Sequence, residues 1–200
     1  MKNIFVVADT HFVLEQFRNP YYRYGFARRW NKRVQKNDLV IHLGDVAWSE
    51  RTLALFDYLN GRKILVMGNH DTFKVVKYKE YFEECHSYYL YKNILFSHEP
   101  MCPIHTHRHI VNNDIVDIRS YYEQYASTIR ANIHGHFHEY GMTKFKQHSK
   151  AKYDESYDKQ MHDSVPYPMF CVDTALPIKL TSILRQVRKM KKKQHMKSTV

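Results

Sequence analysis

A chain of 200 residues is long enough to fold as one domain with a substantial buried core. Its content of 44% hydrophobic and 26% charged residues is ordinary for a soluble globular protein, and no apolar run reaches the roughly 20 residues that span a bilayer. We therefore expect no membrane span and no signal peptide. Three widely spaced cysteines (Cys85, Cys102 and Cys171) favour reduced thiols in the cytoplasm over a disulfide framework.

The net charge of +11 is concentrated near the C-terminus. Eight of the 31 basic residues and none of the 20 acidic residues lie between Thr174 and Val200, so the rest of the chain carries only +3. We predict a folded domain over residues 1–183 and a basic tail over residues 184–200. Such a tail could bind nucleic acid or another polyanion, or could be a solvated terminus, and both interpretations stay open.

Short apolar runs alternate with amphipathic segments in the first part of the chain. Ile4–Ala8, Leu39–Leu43 and Ile64–Met67 lack polar alternation, which is typical of strands buried on both faces. The segments between them predict helices over residues 22–36 and 50–59. Strands that alternate with helices predict right-handed βαβ units around a parallel sheet.

The second half of the chain has weaker patterns. Two apolar runs, 87–91 and 94–97, flank Lys92-Asn93 and predict a hairpin or two neighbouring strands. We expect a long loop and a short helix over residues 101–125, and a polar loop over residues 144–164. Further strands are predicted at Ala131–His134, Tyr167–Val172 and Ile178–Leu180.

Potential metal ligands follow five of the predicted strands, in the short motifs DTH, GD, GNHD, SHEP and GHFH. Loops at the carboxyl ends of strands can converge on one site although they are distant in sequence. Each motif alone is also typical of a turn or a surface pair, so only their joint occurrence indicates a metal site. The residues concerned are Asp9, His11, Asp45, Asn69, His70, His98, His136 and His138.

The residue types in these motifs suit a transition-metal site. In extended backbone, side chains two residues apart point to the same face, as in Asp9-x-His11 and His136-x-His138. Carboxylate, imidazole and amide donors together favour Mn, Fe, Zn or Ni over Ca or Mg. A glycine precedes three of the candidate ligands and allows tight turns or close backbone approach there.

As a series, these motifs resemble those of the calcineurin-like metallophosphoesterase superfamily. The longer strings DTHF, HLGDVAW and LNGRKILVMGNHD are similar to its small single-domain bacterial and phage members. The resemblance implies an α/β fold (α+β by some schemes), a four-layer αββα sandwich in which helices flank two mixed β-sheets. It also implies a phosphate-ester hydrolase.

The resemblance implies a dinuclear centre with two divalent transition-metal ions, for which Mn is favoured and Fe, Ni and Zn are alternatives. One ion would be held by Asp9, His11 and His138, and the other by Asn69, His98 and His136, with Asp45 as the bridge. Two such ions can clamp a phosphate and lower the pKa of a bound water, so that hydroxide becomes available as the nucleophile.

Beyond the metal ligands, the resemblance implies that His70 lies near the phosphate, where it would stabilise charge or protonate the leaving oxygen. Asp71 could orient His70 or another supporting group, and Asn69 could also contact the substrate. Residues 12–24 follow the DxH ligands directly. From this position we predict that Arg18 and Asn19 contact phosphate.

We expect a phosphodiesterase that acts on a nucleotide or other small phosphodiester. One alternative is a nuclease that binds DNA or RNA through the basic tail and the aromatic and basic residues that begin at Tyr21. Another is a binding scaffold without catalysis, which the complete motif set disfavours. The histidines of the HTHRH segment (His105, His107 and His109) could form a second metal site, but solvent exposure or substrate contact is favoured. No feature of the sequence indicates the oligomeric state.

Overall fold

A computed structural model describes residues 3–103, 108–111, 114–136, 164–172 and 174–197. The strands in chain order are β1 (Ile4–Val7), β2 (Leu39–His42), β3 (Arg62–Val66), β4 (Glu84–His86), β5 (Tyr89–Tyr91), β6 (Ile94–Phe96), β7 (Arg108–Val111), β8 (Asp114–Asp117), β9 (Ala131–His134), β10 (Met169–Cys171) and β11 (Ile178–Lys179). The helices are α1 (Leu14–Arg18), α2 (Pro20–Asn31), α3 (Glu50–Leu53), α4 (Val75–Tyr78), α5 (Ile118–Tyr125) and α6 (Leu180–Lys197), with a 3₁₀ helix at Ala54–Tyr58.

Two mixed sheets form the centre of the fold, as predicted. The first has the order β11-β1-β2-β3-β4, in which β1 to β4 are parallel and β11 is antiparallel to β1. The second has the order β10-β9-β6-β5, in which β5 alone runs antiparallel to its neighbour. Parallel pairing places the carboxyl ends of β1, β2 and β3 at one edge of their sheet, and those of β6 and β9 at one edge of the other.

Three apolar clusters separate the four layers. Phe5 and Val7 of β1 pack with Trp30 and Phe56 on the helical side of the first sheet. Val6 and Ala8 belong to the cluster that also contains residues of β6 and β9, between the two sheets. Because adjacent residues of a strand point to opposite faces, β1 needs apolar residues at every position. The outer face of the second sheet is covered by α5, with Tyr122 against Tyr167.

The hairpin alternative for the segment around Lys92-Asn93 is confirmed. Strands β5 and β6 pair antiparallel, and Lys92 and Asn93 between them have φ values of 50° and 62°. Two consecutive residues with positive φ form the tight turn that matches the twist of a hairpin.

Three predicted elements differ from the structure. The helix predicted over residues 22–36 runs from Pro20 to Asn31, because the Asn19 side chain accepts hydrogen bonds from Tyr21 N and Tyr22 N and so caps an earlier start. The helix predicted over residues 50–59 is a short α-helix followed by a 3₁₀ helix. The expected loop and helix over residues 101–125 contain α5 and also a two-stranded ribbon, β7-β8, and residues 144–163 lie outside the described residues.

Helix α6 crosses the predicted boundary between residues 183 and 184. Its Leu180, Ile183 and Val187 are buried in the cluster between the sheets. The basic segment therefore begins as an anchored helix, because an apolar residue at every third or fourth position faces the core. Within the described residues, no helix is both long enough and apolar enough to span a membrane.

Candidate functional site

The loops that follow β1 and β2 are joined by backbone hydrogen bonds. Asp9 N donates to Gly44 O and His11 N donates to Asp45 O, each at 3.0 Å. Phe12 N donates to Val46 O at the same distance. These bonds continue the pairing of β1 with β2 beyond the ends of the strands, so the two loops form one rigid unit.

Four candidate ligands have a left-handed backbone conformation. The φ values are 53° at Asp9, 41° at His11, 56° at Asp45 and 75° at His136. Non-glycine residues rarely adopt this region, and each such residue costs on the order of 1–3 kcal/mol unless its surroundings enforce it. The strain is concentrated at the strand ends where the motifs predict ligands, which is typical of a functional site.

Two glycines allow the loops to approach closely. Gly44 has a φ of 90°, and a Cβ atom there would lie 2.5 Å from Gly68 N and 2.9 Å from His98 Nδ1. A Cβ atom on Gly68 would lie 2.8 Å from Asp45 N and overlap the Asp45 carboxylate. Any side chain at either position would therefore push the ligand-bearing turns apart.

Electron-rich atoms converge around the Nε2 atom of His98. His98 Nδ1 lies 2.7 Å from Leu43 O, and a carbonyl oxygen only accepts, so Nδ1 carries a proton and the Nε2 atom of the neutral imidazole presents a lone pair. Around Nε2 lie Asn69 Oδ1 at 2.8 Å, His136 Nδ1 at 3.1 Å and Asp45 Oδ2 at 3.5 Å. The lone pairs of Nε2 and of the two oxygens face one another, an arrangement that a cation would stabilise.

The Asp45 carboxylate lies between two groups of candidate ligands. Its Oδ2 atom is 3.5 Å from His98 Nε2 and also 3.5 Å from His11 Nε2. His11 Nε2 is in turn 4.0 Å from Asp9 Oδ1. One ligand atom each from Asp9, Asp45 and His98 lie within 4.8 Å of one another, and all three residues are buried.

This donor set fits a metal ion. Two buried carboxylates about 5 Å or less apart repel each other in a medium of low dielectric, and a bound cation compensates that repulsion. Imidazole, carboxylate and amide oxygen together suit a divalent transition metal. The structure therefore brings six predicted ligands together at one candidate metal site. They are Asp9, His11, Asp45, Asn69, His98 and His136.

Asp71 supports the site from below. Its buried carboxylate accepts hydrogen bonds from Asp45 N and Gly68 N at 2.8 Å and from Val46 N at 2.9 Å, so it joins the turns after β2 and β3. Burial raises the pKa of this carboxyl to about 7, and the three N–H donors act in the opposite direction. These contacts place Asp71 as a support of the backbone around Asp45. The predicted role of Asp71 in orienting His70 or another supporting group stays a prediction.

His42 lies beneath the same turns as a neutral core histidine. Its Nδ1 accepts a hydrogen bond from Gly44 N at 3.2 Å, so the proton lies on Nε2, which donates to Thr10 Oγ1 at 3.0 Å. The Thr10 hydroxyl donates onward to Val46 O at 2.8 Å. Burial is the largest cause that lowers the pKa of His42 to about 3, and the nearby His11 and His98 lower it further.

The rim of the site carries His70 and Trp48. His70 is exposed, and its backbone N–H donates to Asp45 Oδ1 at 2.9 Å. The Trp48 ring stacks on the His11 ring at a centroid distance of 5.3 Å and lies 4.9 Å from the His70 ring. His70 is thus next to the candidate metal ligands and exposed at the surface.

The match to known proteins agrees with this geometry. A family model described as the calcineurin-like phosphoesterase superfamily domain matches residues 1–151, which is most of the chain. This chain belongs to the calcineurin-like phosphoesterase superfamily. The domain is therefore of the class of hydrolases that act on phosphate esters, and the resemblance drawn from the five motifs is confirmed.

Two further proteins are similar to this chain. The uncharacterized protein MJ1445 of Methanocaldococcus jannaschii is 29% identical over 98 residues, which cover 40% of this chain and 56% of that protein. The chain thus spans about half the length of the curated relative that it matches. The crystal structure of AQ665, a protein of unknown function from Aquifex aeolicus, is 25% identical with a TM-score of 0.61, and the match covers 94% of this chain and 100% of the other.

Some predicted residues of the phosphoesterase site stay predictions. His138, His105 and His107 lie outside the described residues, and only the backbone of His109 is described, in β7. Arg18 is exposed in the last turn of α1, and Asn19 caps α2. Arg23 stacks on the rings of Phe17, Tyr24 and Tyr58, so this part of the aromatic and basic segment has a structural role.

The sequence reasoning missed Trp48 and Thr10. Thr10 lies between the two ligands of the DTH motif, where its hydroxyl joins His42 to the second loop. Trp48 follows Asp45 by three residues in the string GDVAW, and this proximity to a ligand motif was the available signal. Neither residue type is a metal ligand, so a search for ligands alone passes over both.

Proposed function

We propose that this chain is a phosphodiesterase that acts on a nucleotide or other small phosphodiester at a dinuclear metal centre. The observation that supports the proposal most is the convergence of Asp45 Oδ2, Asn69 Oδ1 and His136 Nδ1 on His98 Nε2, at 2.8–3.5 Å. Membership of the calcineurin-like phosphoesterase superfamily supports the proposal that these atoms bind metal ions for the hydrolysis of a phosphate ester.

The ligands divide into two groups in this proposal. Asp9 and His11, with His138, would hold one divalent ion, and Asn69, His98 and His136 would hold the other. Asp45 would bridge them, which is supported by equal distances of 3.5 Å from its Oδ2 atom to His11 Nε2 and His98 Nε2. When bound, the ions would supply an activated water and would neutralise charge on the phosphate, and Mn²⁺ is the favoured metal.

His70 is proposed as the group that moves a proton. Its exposed side chain lies at the rim, and its backbone N–H holds Asp45 Oδ1 at 2.9 Å, so loop and ligand are positioned together. In this position the imidazole would donate a proton to the leaving oxygen, which would otherwise depart as an unstable alkoxide. General acid catalysis of this kind contributes about 10²–10⁴-fold.

A metal-reconstituted assay tests this proposal. The Mn²⁺-loaded chain should hydrolyse bis(p-nitrophenyl) phosphate and should contain about two metal ions per chain. On a cyclic nucleotide, whose leaving group is an alkoxide, we expect His70→Ala to lose about a hundredfold or more in kcat while its metal content stays unchanged. Hydrolysis of bis(p-nitrophenyl) phosphate should fall less, because p-nitrophenolate departs without a proton. Full metal loading without hydrolysis of any ester in a panel of cyclic nucleotides, dinucleotides and nucleoside monophosphates would contradict the proposal.

Helix α6 supports a nuclease as the second candidate. The exposed side chains of Arg185, Arg188 and Lys189 are presented by a helix that is anchored through Ile183 and Val187. A triple substitution of the three basic residues to Gln leaves the buried anchors in place. If nucleic acid is the substrate, this variant should no longer cleave single-stranded DNA, and its binding to DNA should lose the steep dependence on salt concentration. It should still hydrolyse the chromogenic diester. Equal effects on both substrates would argue against a nuclease.

A further inference from the structure

Trp48 exposes a large aromatic surface beside the proposed phosphate site. About 54% of the residue is exposed, whereas the preceding Val46 and Ala47 are buried. One face of its ring stacks on His11 with an interplanar angle of 20°, and the ring is also tilted at 50° towards His70. A phosphate held near His70 therefore has its ester groups within reach of the indole.

The backbone that carries Trp48 is held in place. Trp48 N donates to Phe12 O at 3.0 Å, and Phe12 forms a parallel bridge with Ala47. The Thr52 hydroxyl donates to the same Phe12 oxygen at 3.1 Å. The indole is thus presented by a braced turn, so little conformational entropy is lost when another ring binds against it.

Two other exposed aromatic side chains, Tyr24 and Tyr58, have different neighbours. Tyr24 and Tyr58 pack edge to face with each other, and the guanidinium group of Arg23 covers both rings. Trp48 instead has two histidines of the site as ring partners. An exposed aromatic residue is common by itself, but one that is fixed against candidate metal and acid residues is positioned for the substrate.

We infer that Trp48 is a specificity-determining residue that stacks on the nucleobase of a small nucleotide substrate. The inference rests on the proposed function, because it assumes that a phosphate ester binds beside His70. An indole of this size offers a flat apolar face, and base–aromatic stacking tolerates any base because every base has a π-face. The site would then prefer phosphate esters with a nucleobase over those without one.

Paired ligands that differ only in the nucleobase test this inference. Isothermal titration calorimetry on the Mn²⁺-loaded full chain would compare adenosine 5′-monophosphate with ribose 5-phosphate, which has the same phosphate and sugar but no base. We expect the nucleotide to bind about tenfold more tightly. Trp48→Ala should remove this difference, Trp48→Phe should retain most of it, and Tyr58→Ala should leave it unchanged because Tyr58 contacts Tyr24 and Arg23.

Intrinsic fluorescence gives a readout that does not depend on turnover. The chain has two tryptophans, of which Trp30 is fully buried and Trp48 is exposed. Adenosine 5′-monophosphate should therefore quench the Trp48 emission, ribose 5-phosphate should not, and Trp48→Phe should abolish the quenching while the Trp30 emission remains. No quenching at saturating nucleotide would overturn the inference.

The remaining outcomes also decide the question. If Trp48→Ala weakens both ligands equally, Trp48 only orients His11, and the inference is wrong. If an oligothymidylate of about eight nucleotides binds about tenfold more tightly than the mononucleotide, the assignment to a small nucleotide is overturned in favour of a strand. A chain that binds the nucleotide through Trp48 but hydrolyses no phosphodiester would contradict the proposed function and leave this inference standing.

Discussion

The floor and the rim of the site are built in opposite ways. The floor consists of Asp9, Asp45 and His98, which are at most 4% exposed and lie on turns with strained or closely packed backbone. The rim consists of His70 and Trp48, whose side chains are accessible. The floor has the geometry of a rigid cation site, whereas the rim can exchange contacts as a substrate arrives.

This difference shows that a single loop can supply both a buried residue of the cation site and an accessible residue of the rim. Asp45 and Trp48 are three residues apart in the turn after β2, and Gly68 and His70 are two apart in the turn after β3. In each loop the first residue is buried close to His98, which follows β6, and the later residue is exposed. Changes in the floor should therefore affect metal binding and folding, and changes in the rim should affect catalysis or specificity alone.

The largest expected effect comes from the floor. Asp45→Asn removes the charge that lies between His11 and His98, so we expect loss of metal and a decrease in kcat/KM of more than about a hundredfold. The variant His70→Ala should lose activity but keep its metal. Glu84 is an exposed residue whose carboxylate pairs with His86, so Glu84→Gln should change neither the activity nor the metal content. Metal content by mass spectrometry beside the diesterase assay checks all three, and metal loss in His70→Ala would remove the distinction between floor and rim.

A pair of glycine substitutions tests the tight backbone of the floor. A methyl group at Gly68 would lie 2.8 Å from Asp45 N and 2.9 Å from His98 Nδ1, so Gly68→Ala should destabilise the fold by about 1–3 kcal/mol and weaken metal binding. At Gly25, inside α2, a methyl group would only approach Arg29 Nη1 at 3.6 Å. Gly25→Ala should therefore be neutral or stabilise by about 0.5–1 kcal/mol.

Urea denaturation of both glycine variants measures these free energies of unfolding. Opposite signs for the two variants are the expected result. Destabilisation of equal size in both would mean that the close approach of the turns after β2 and β3 carries no special constraint.

The neutral histidine beneath the floor should make stability depend on pH. Burial lowers the pKa of His42 to about 3 in the folded chain, whereas an unfolded histidine has a pKa near 6.5. The unfolded state therefore binds a proton first, so this stability is present above pH 6.5 and is lost as the pH falls towards 3. Between pH 6.5 and 5 the loss from His42 should reach about 2 kcal/mol.

Chemical denaturation of the metal-free chain at several pH values measures the dependence, and His42→Gln isolates its source. The variant should be less stable at pH 7 because it loses part of the link to Thr10, but its free energy of unfolding should fall less steeply below pH 6.5. Parallel pH profiles for the two proteins would assign the slope to other histidines.

The smallest effect is expected outside both regions, at the cap of α2. Asn19 Oδ1 accepts hydrogen bonds from Tyr21 N at 3.0 Å and Tyr22 N at 3.2 Å, so Asn19→Ala should cost about 1 kcal/mol of stability. The predicted phosphate contact of Asn19 and Arg18 adds a second expectation, a rise in KM. Asn19→Asp retains the cap, and a raised KM in this variant would separate substrate contact from helix capping.

Much of the fold could be predicted because its signals are local. The apolar runs around β1, β2 and β3 need no alternation, since both of their faces are buried, and the two-residue turn at Lys92-Asn93 specifies a hairpin. The end of α2 was missed because tertiary packing overrides weak local propensity. The β7-β8 ribbon was missed although its pairing is local, because its strands RHIV and DIVD are only four residues long and give a weak pattern. The anchoring of α6 was missed for a related reason, since its high charge obscured the spacing of Leu180, Ile183 and Val187.

The sequence by itself determined the types of the candidate ligands, their order and their position after strands, because each motif is a few consecutive residues with a defined chemistry. Only the tertiary structure decided which atoms meet, for example that Asp45 Oδ2 lies 3.5 Å from both His11 and His98. It also assigned Asp71 to the backbone of two turns and placed Trp48 against two histidines. These contacts join residues from separate loops, and their geometry depends on how two sheets pack, which no short motif encodes.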